Sequence, residues 1–441
     1  MKKWLTLLLT LAILLSITAC NTSQPTSTEV PQTEVPAVEV PATEYLPYEG
    51  EKLTVLYLSG GPADAARSIV PEFEAATGAS VEVVEFSYEE LYEQTLLDLV
   101  SYIGTYDVIN VNAQWDGEFA PYLESLDNYI AQDSYDTDVL IENVLANCGQ
   151  WQDSIIGIPT SCMAQVFAYR TDLMPNGIPK TWLEYRRALT YVNRPATGVY
   201  GIAVSKAPQE LVNTFNLILW TSGGNWADEE WNVTVNSTPG RAALTHMNLT
   251  KNMSDPASYE WTNEDAIQAF LEGKAAVLEA WPVPELLQKA DDPEVSQISG
   301  NWALALIPQE QTGITPMTAW NVAIPVGSQN KSLAWEWIKM YTDSNVQDRF
   351  YDDFGIFSPH KDFWEQEKMA HLSIVREALE LANVGWRIPS FREAEPIVSE
   401  TLLSFLSNKI YQDATIRQLD ADMKGVLENV PVPEGTRNFN H

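Results

Sequence analysis

Basic residues are scarce in this chain: 441 residues hold 26 Lys and Arg against 60 Asp and Glu, a formal net charge of −34. A nucleic-acid partner needs a basic footprint to neutralise phosphates, so that class is excluded. Such acidity serves solubility instead. Histidine is scarcer still, with His246, His360, His371 and His441 the whole supply. None belongs to an HExxH helix or stands beside a cysteine pair, so no metal and no cofactor are expected. A GxSxG nucleophile elbow and a GxxxxGK phosphate loop are also missing, which removes serine hydrolysis of that type and nucleotide hydrolysis on this chain. The run Asp133-Ser134-Tyr135-Asp136-Thr137-Asp138 hints at a calcium loop. It lacks the glycine and the closing Glu of that loop, and reads as a solvated turn.

Long apolar runs are confined to the start of the chain. Lys2 and Lys3 precede an apolar stretch over 5–17 and then Thr18-Ala19-Cys20, the plan of an export signal too short for a spanning helix. Ile17-Thr18-Ala19-Cys20 resembles a bacterial lipobox with Ile in place of the usual Leu, which implies cleavage before Cys20 and lipidation of it. Asn21 follows, where the inner-membrane retention signal would have Asp. Residues 21–50 contain no Lys or Arg, five prolines and the stepped repeat Glu29-Val30-Pro31, Glu34-Val35-Pro36, Glu39-Val40-Pro41. That composition cannot bury a core and reads as an extended, disordered tether. Only three cysteines occur. With Cys20 assigned to the anchor, an oxidising exterior permits a disulfide between Cys148 and Cys162.

The remaining residues 51–441 are enough for two or three domains. Alternating strand and helix patterns open this part: strands over 53–58, 80–86 and 106–111, helices over 63–77 and 88–102, with Gly78 as a helix stop. That alternation predicts an α/β sheet, mostly parallel and flanked by helices, with ligands at the carboxyl ends of strands. The organising stretch is 154–185, SIIGIPTSCMAQVFAYRTDLMPNGIPKTWLEY. A strand over 155–158 ends at Pro159, a second strand covers 166–169, and Thr181 caps a helix. The order G-I-P, strand, Y-R-x-D-L, G-I, P-K-T-W resembles the first crossover of the extracellular solute-binding proteins of ABC importers, in their maltose-binding-protein-like sugar branch. The F-E-A-A-T-G of 73–78, E-D-A-I-Q-A-F-L-E-G-K-A-A-V-L-E-A of 264–280 and T-A-W-N-V-A-I-P of 318–325 resemble further segments of that family. Ala319 stands where the family usually has a glycine. The resemblance covers about 51–430.

It implies a two-lobed periplasmic-binding-protein-like fold with a ligand cleft between two α/β lobes. One lobe would hold 51–159 and 319–355, the other 160–318 and 356–430, with a tail over 431–441. It also implies hinge closure on a solute and delivery to a separate permease, by a monomer held outside the cell membrane. Fifteen tryptophans are many for this length, and Trp115, Trp281, Trp320 and Trp386 stand where strands end. Indoles stack on the apolar faces of sugar rings while Asp, Asn and Arg take the hydroxyls. Ser59, Trp115, Asp116, Trp320 and Asn321 are therefore expected on the first-lobe side of a sugar site, and Trp281, Trp386 and Arg387 on the second. Trp151, Trp182, Trp335 and Trp337 read as packing residues. A surface lipoprotein glycoside hydrolase is the alternative, since sixty acids leave room for a carboxylate dyad.

Overall fold

Strands and helices alternate as the sequence predicts, and the differences lie in direction and in where strands stop. The computed structural model describes residues 46–428, apart from 229, 282 and 283. The signal segment with Cys20, the tether as far as residue 45 and the 431–441 tail lie outside the described residues. The last residues assigned to the tether are part of the body: 46–50 form a turn whose Tyr48 N–H donates to the Thr77 carbonyl at 2.9 Å.

In chain order the strands are β1 (Lys52–Leu58), β2 (Ser80–Phe86), β3 (Val108–Asn112), β4 (Gln150–Trp151), β5 (Ser154–Ile155), β6 (Ile158–Ala164), β7 (Phe167–Arg170), β8 (Tyr200–Ala203), β9 (Ala275–Leu278), β10 (Trp302–Ala305) and β11 (Met317–Ala323). One sheet has the order β2-β1-β3-β11-β6, a second the order β10-β7-β9-β8, and β4 and β5 form a small hairpin. β1 lies parallel to β2 and β3, whereas β11 runs against both β3 and β6. In the second sheet β7 runs against β10 and β9 while β8 and β9 are parallel. Both sheets are therefore mixed, each with one reversed strand, rather than simply parallel.

Pro159 does not end a strand. It sits inside β6, which pairs only with β11 at the sheet's edge, where a missing N–H breaks no ladder. The register shifts between Trp320 and Asn321, leaving Thr160 as an extra residue whose hydroxyl donates to the Trp320 carbonyl at 3.1 Å. β6 thus stays with the first sheet up to Ala164, and the crossover begins later than expected. Gly157 of the G-I-P turn is required by contact: a Cβ there would lie 2.2 Å from the Asn321 Oδ1. Gly78 is required by conformation, closing the helix Gly61–Thr77 at φ 80°.

Leu53, Val55 and Tyr57 of β1 pack with Phe73 and with Trp335 and Trp337 of the helix Lys331–Tyr341. The Trp337 ring N–H donates to the Tyr57 hydroxyl at 2.9 Å, and that of Trp335 to Asp133 at 2.9 Å. Asp133 thus serves Trp335 and Lys339, and no metal-binding cluster occurs among the described residues. Trp182 is likewise core, donating to Thr221 at 2.8 Å. The second sheet buries Ala168, Ala203 and Leu278 against Phe270 and Ile267.

Cys148 and Cys162 form no disulfide; both are buried free thiols. Cys148 follows the helix Glu142–Asn147 and receives the Asn321 side-chain amide at 3.7 Å. Cys162 points its thiol at the Ser358 carbonyl, also at 3.7 Å. Burial pushes both thiols above their ordinary value, which keeps them inert.

Candidate functional site

A cavity of about 410 Å³ opens where the first sheet's β6 and β11 meet two helix starts and the end of β9 from the part of the chain that holds the second sheet. β11 contributes Thr318 and Trp320, and β6 contributes Ser161. Glu210 and Asn213 come from the first turns of the helix Pro208–Thr221, which follows β8. Asn263 opens the helix Asn263–Leu271, fixed by a capping box between Thr262 and Asp265. Trp281 stands just beyond β9. A smaller recess shares Asn213, Trp281 and Thr318 with this cavity and adds Asn112 and Gln114.

The two tryptophans are held differently. Trp281 is half-buried; its backbone N–H donates to the Asn263 side-chain oxygen at 3.2 Å and its ring N–H to Glu210 at 3.3 Å. Asn213 donates to the other Glu210 oxygen at 3.4 Å. Burial raises the Glu210 carboxyl above its ordinary value, Asn213 and Trp281 pull it down, and the Glu264 charge adds to the rise. Trp320 is also half-buried and leans edge-on against Trp115, with ring centroids 5.5 Å apart, and against Tyr88 at 6.1 Å. Its remaining surface faces the cavity.

Other residues expected at the site lie elsewhere. Ser59 is exposed at the end of β1 and does not line the cavity. Trp115 is buried among Tyr88, Tyr92 and Phe119. Trp386 is buried against Trp226, 4.9 Å away and nearly perpendicular. Asp116, Asn321 and Arg387 do come together, but inside the protein. Arg387 pairs with Asp116 at 2.9 Å, donates to the Ala146 carbonyl at 2.9 Å and to that of Gln150, and lies over the Trp151 ring. Asp116 also accepts from Asn321 at 2.9 Å and from the Gly149 amide at 3.0 Å. Burial raises the Asp116 carboxyl while Arg387, Gly149 and Asn321 oppose the rise. This network ties the segment after β3 to the one around 387.

Glu210, Asn213, Asn263, Ser161 and Thr318 were not singled out from the sequence. The signal for Glu210 and Asn213 was present: strand β8, a short loop, then Pro-Gln-Glu puts a helix start at a strand's carboxyl end.

Two residues before Trp281, Glu279 is buried, accepts a hydrogen bond from the Tyr185 hydroxyl and feels the charge of Lys206. Burial raises its carboxyl from 4.5 to about 7, against the pull of Tyr185 and Lys206. An acid with a raised folded value stabilises the fold fully below its unfolded value and loses that contribution as pH climbs through the folded one. Glu279's own contribution should therefore fall between roughly pH 4.5 and pH 7, by about 3 kcal/mol at most, while buried His246, lowered to about 3, contributes in the opposite sense below pH 6.5. Glu279→Gln should flatten that slope; denaturant titrations at several pH values measure it. Lys206, lowered to about 8 by burial, acts at higher pH, where its own contribution rises with pH.

The sequence pattern of the family described as bacterial extracellular solute-binding protein matches residues 59–348. A Sinorhizobium fredii protein, named as a probable amino-acid ABC transporter periplasmic-binding protein, is 25% identical over 313 residues, 68% of this chain and 70% of its own. The sugar-binding protein MalE of Xanthomonas citri superposes with a TM-score of 0.75 at 18% identity, covering 86% of this chain and 97% of that one. An Agrobacterium radiobacter solute-binding protein in complex with ribitol gives 0.73 at 22% identity, covering 86% and 100%. Maltose-bound MalE3 of T. maritima gives 0.73 at 21%, covering 85% and 100%. The family pattern thus spans well over half of the chain, and the α/β fold is that of these solved structures: the protein belongs to the bacterial extracellular solute-binding protein family, whose members bind solutes rather than transform them.

Proposed function

We propose that this protein captures a carbohydrate, a mono- or oligosaccharide, in the cleft lined by Trp281 and Trp320 and passes it to the permease of an ABC importer. The observation that carries this reading is the lining itself: two half-buried indoles beside Glu210, Asn213, Asn263 and Thr318. Indoles cover the apolar faces of sugar rings, and the carboxylate and amides bind hydroxyls. A free amino acid carries a carboxylate as well, and no Lys or Arg is among the described residues lining the cavity. That argues for a sugar over the solute in the Sinorhizobium protein's name. Ribitol and maltose, bound by two of the similar structures, are of the polyhydroxy class proposed here. In the working cycle, residues 51–164 and 317–355 would form one lobe and most of 165–316 and 356–428 the other. The lobes would close on a sugar that touches both more favourably when shut. The closed monomer then docks on the permease.

A thermal-shift screen over mono- and oligosaccharides, polyols and amino acids tests the reading. A carbohydrate should raise the melting temperature, amino acids should not, and the bound sugar should be recovered unchanged. Recovery of cleaved sugar would favour the hydrolase alternative instead.

The same proposal holds the protein at the outer face of the cell membrane through lipid on Cys20, with the Glu/Pro segment as tether. Cys20→Ser should move the protein from the membrane fraction to the soluble fraction or the medium, read by fractionation and immunoblotting. A variant that stays as firmly membrane-bound as the parent would refute the anchor.

A further inference from the structure

The described lining of the cavity holds a carboxylate and no cation to pair with it. Glu210 lines it, and no Lys or Arg does so among the described residues. Among the described residues, the Glu210 oxygens receive the Trp281 ring N–H at 3.3 Å and the Asn213 amide at 3.4 Å, both long for bonds to a carboxylate. The Glu264 carboxylate acts on Glu210 in the same direction, and the helix Phe391–Leu406 lies near enough for its Glu395 to feel Glu210. The cation on that helix, Arg392, is already committed, paired with Glu89 and stacked over the rings of Tyr88 and Tyr92.

Building on the carbohydrate reading of the cleft, we propose that the sugar carries a protonated amine, seated on the Glu210 carboxylate within reach of the indoles that line the same cavity. A neutral hydroxyl donating to Glu210 leaves the carboxylate without a cation in a cavity whose described lining supplies none. An ammonium group supplies that cation, forms a charge-assisted hydrogen bond and gains from a nearby aromatic face. The cavity's amides and hydroxyls at Asn213, Asn263, Ser161 and Thr318 remain for the sugar's own hydroxyls. An acidic sugar, by the same field, is repelled.

Titration calorimetry of the mature protein with matched pairs tests this: glucosamine against glucose, galactosamine against galactose, chitosan disaccharide against cellobiose, at a mildly acidic pH that keeps the amines charged. At least one aminated member should bind about tenfold or more tighter than its neutral partner. Acetylation of that amine should abolish the advantage, and in Glu210→Gln the affinity ratio should fall to near one, with unliganded melting checked to confirm folding. Neutral sugars binding as well as or better than aminated ones would overturn the inference and leave the carbohydrate reading standing. A preference that survives in Glu210→Gln would overturn it too, by seating the amine elsewhere. Binding of no sugar, aminated or neutral, in these pairs or in the thermal-shift screen would bring down the carbohydrate reading and the inference with it.

Discussion

Arg387→Met should lower the free energy of unfolding by about 3–5 kcal/mol, the usual cost of leaving one partner of a buried ion pair uncompensated. The reasoning is geometric. Asp116 and Arg387 are completely buried and 2.9 Å apart, and the guanidinium also serves the carbonyls of Ala146 and Gln150. Methionine fills much of the volume but leaves the Asp116 charge with only Asn321 and the Gly149 amide, and two carbonyls without their donor. The double variant Asp116→Leu with Arg387→Met should regain part of the loss, because a well-packed apolar pair removes the stranded charge. Equilibrium denaturation measures both. Loss of ligand affinity with stability unchanged would instead return Arg387 to the ligand site that its place in the sequence suggested.

Trp281→Ala should weaken binding of the proposed sugar ligand by about 2 kcal/mol, roughly thirtyfold. Trp281 presents its free surface to the cavity and is anchored by two hydrogen bonds, so its loss removes an ordered stacking face that water cannot replace. Trp320→Ala should weaken binding to a similar degree. It should also lower unliganded stability, because its ring supports Trp115 and Tyr88. The pair therefore differ in a readable way: a binding defect alone for Trp281, a combined defect for Trp320. Parental affinity in both variants would mean that neither indole faces the ligand.

The sequence revealed local order well and long-range pairing poorly. β2 is read correctly from alternating residues alone, and the Thr181 cap, whose hydroxyl oxygen accepts from the Glu184 amide, follows from residue type and spacing. The turn at Gly273 that joins the helix Asn263–Leu271 to β9 is equally local. Pro159 misled because a proline's effect depends on whether its strand lies at an edge, a property of the whole sheet. The directions of β7 and β11 depend on the same global arrangement. Trp115 and Trp386 are indistinguishable from Trp281 and Trp320 by sequence position, since each stands near a strand end or in a loop. What separates them is the tertiary surroundings, Tyr92 and Phe119 around Trp115 and Trp226 against Trp386. Asp116, Asn321 and Arg387 were legible as a polar group next to tryptophans. That they satisfy one another was not, because the partners lie more than two hundred residues apart along the chain. Glu210 and Asn213 went unnoticed because they sit on a mostly apolar helix, and only the position of its first turn beyond β8 gives them a role.

The most direct test of a carbohydrate in this cleft is a crystal structure of the protein grown with the sugar that most raises its melting temperature. Sugar density should lie in the 410 Å³ cavity, a ring face against the Trp281 or Trp320 indole and a polar group within hydrogen-bond distance of Glu210. A sugar seated outside this cavity, or ordered density that touches neither indole, would contradict the account.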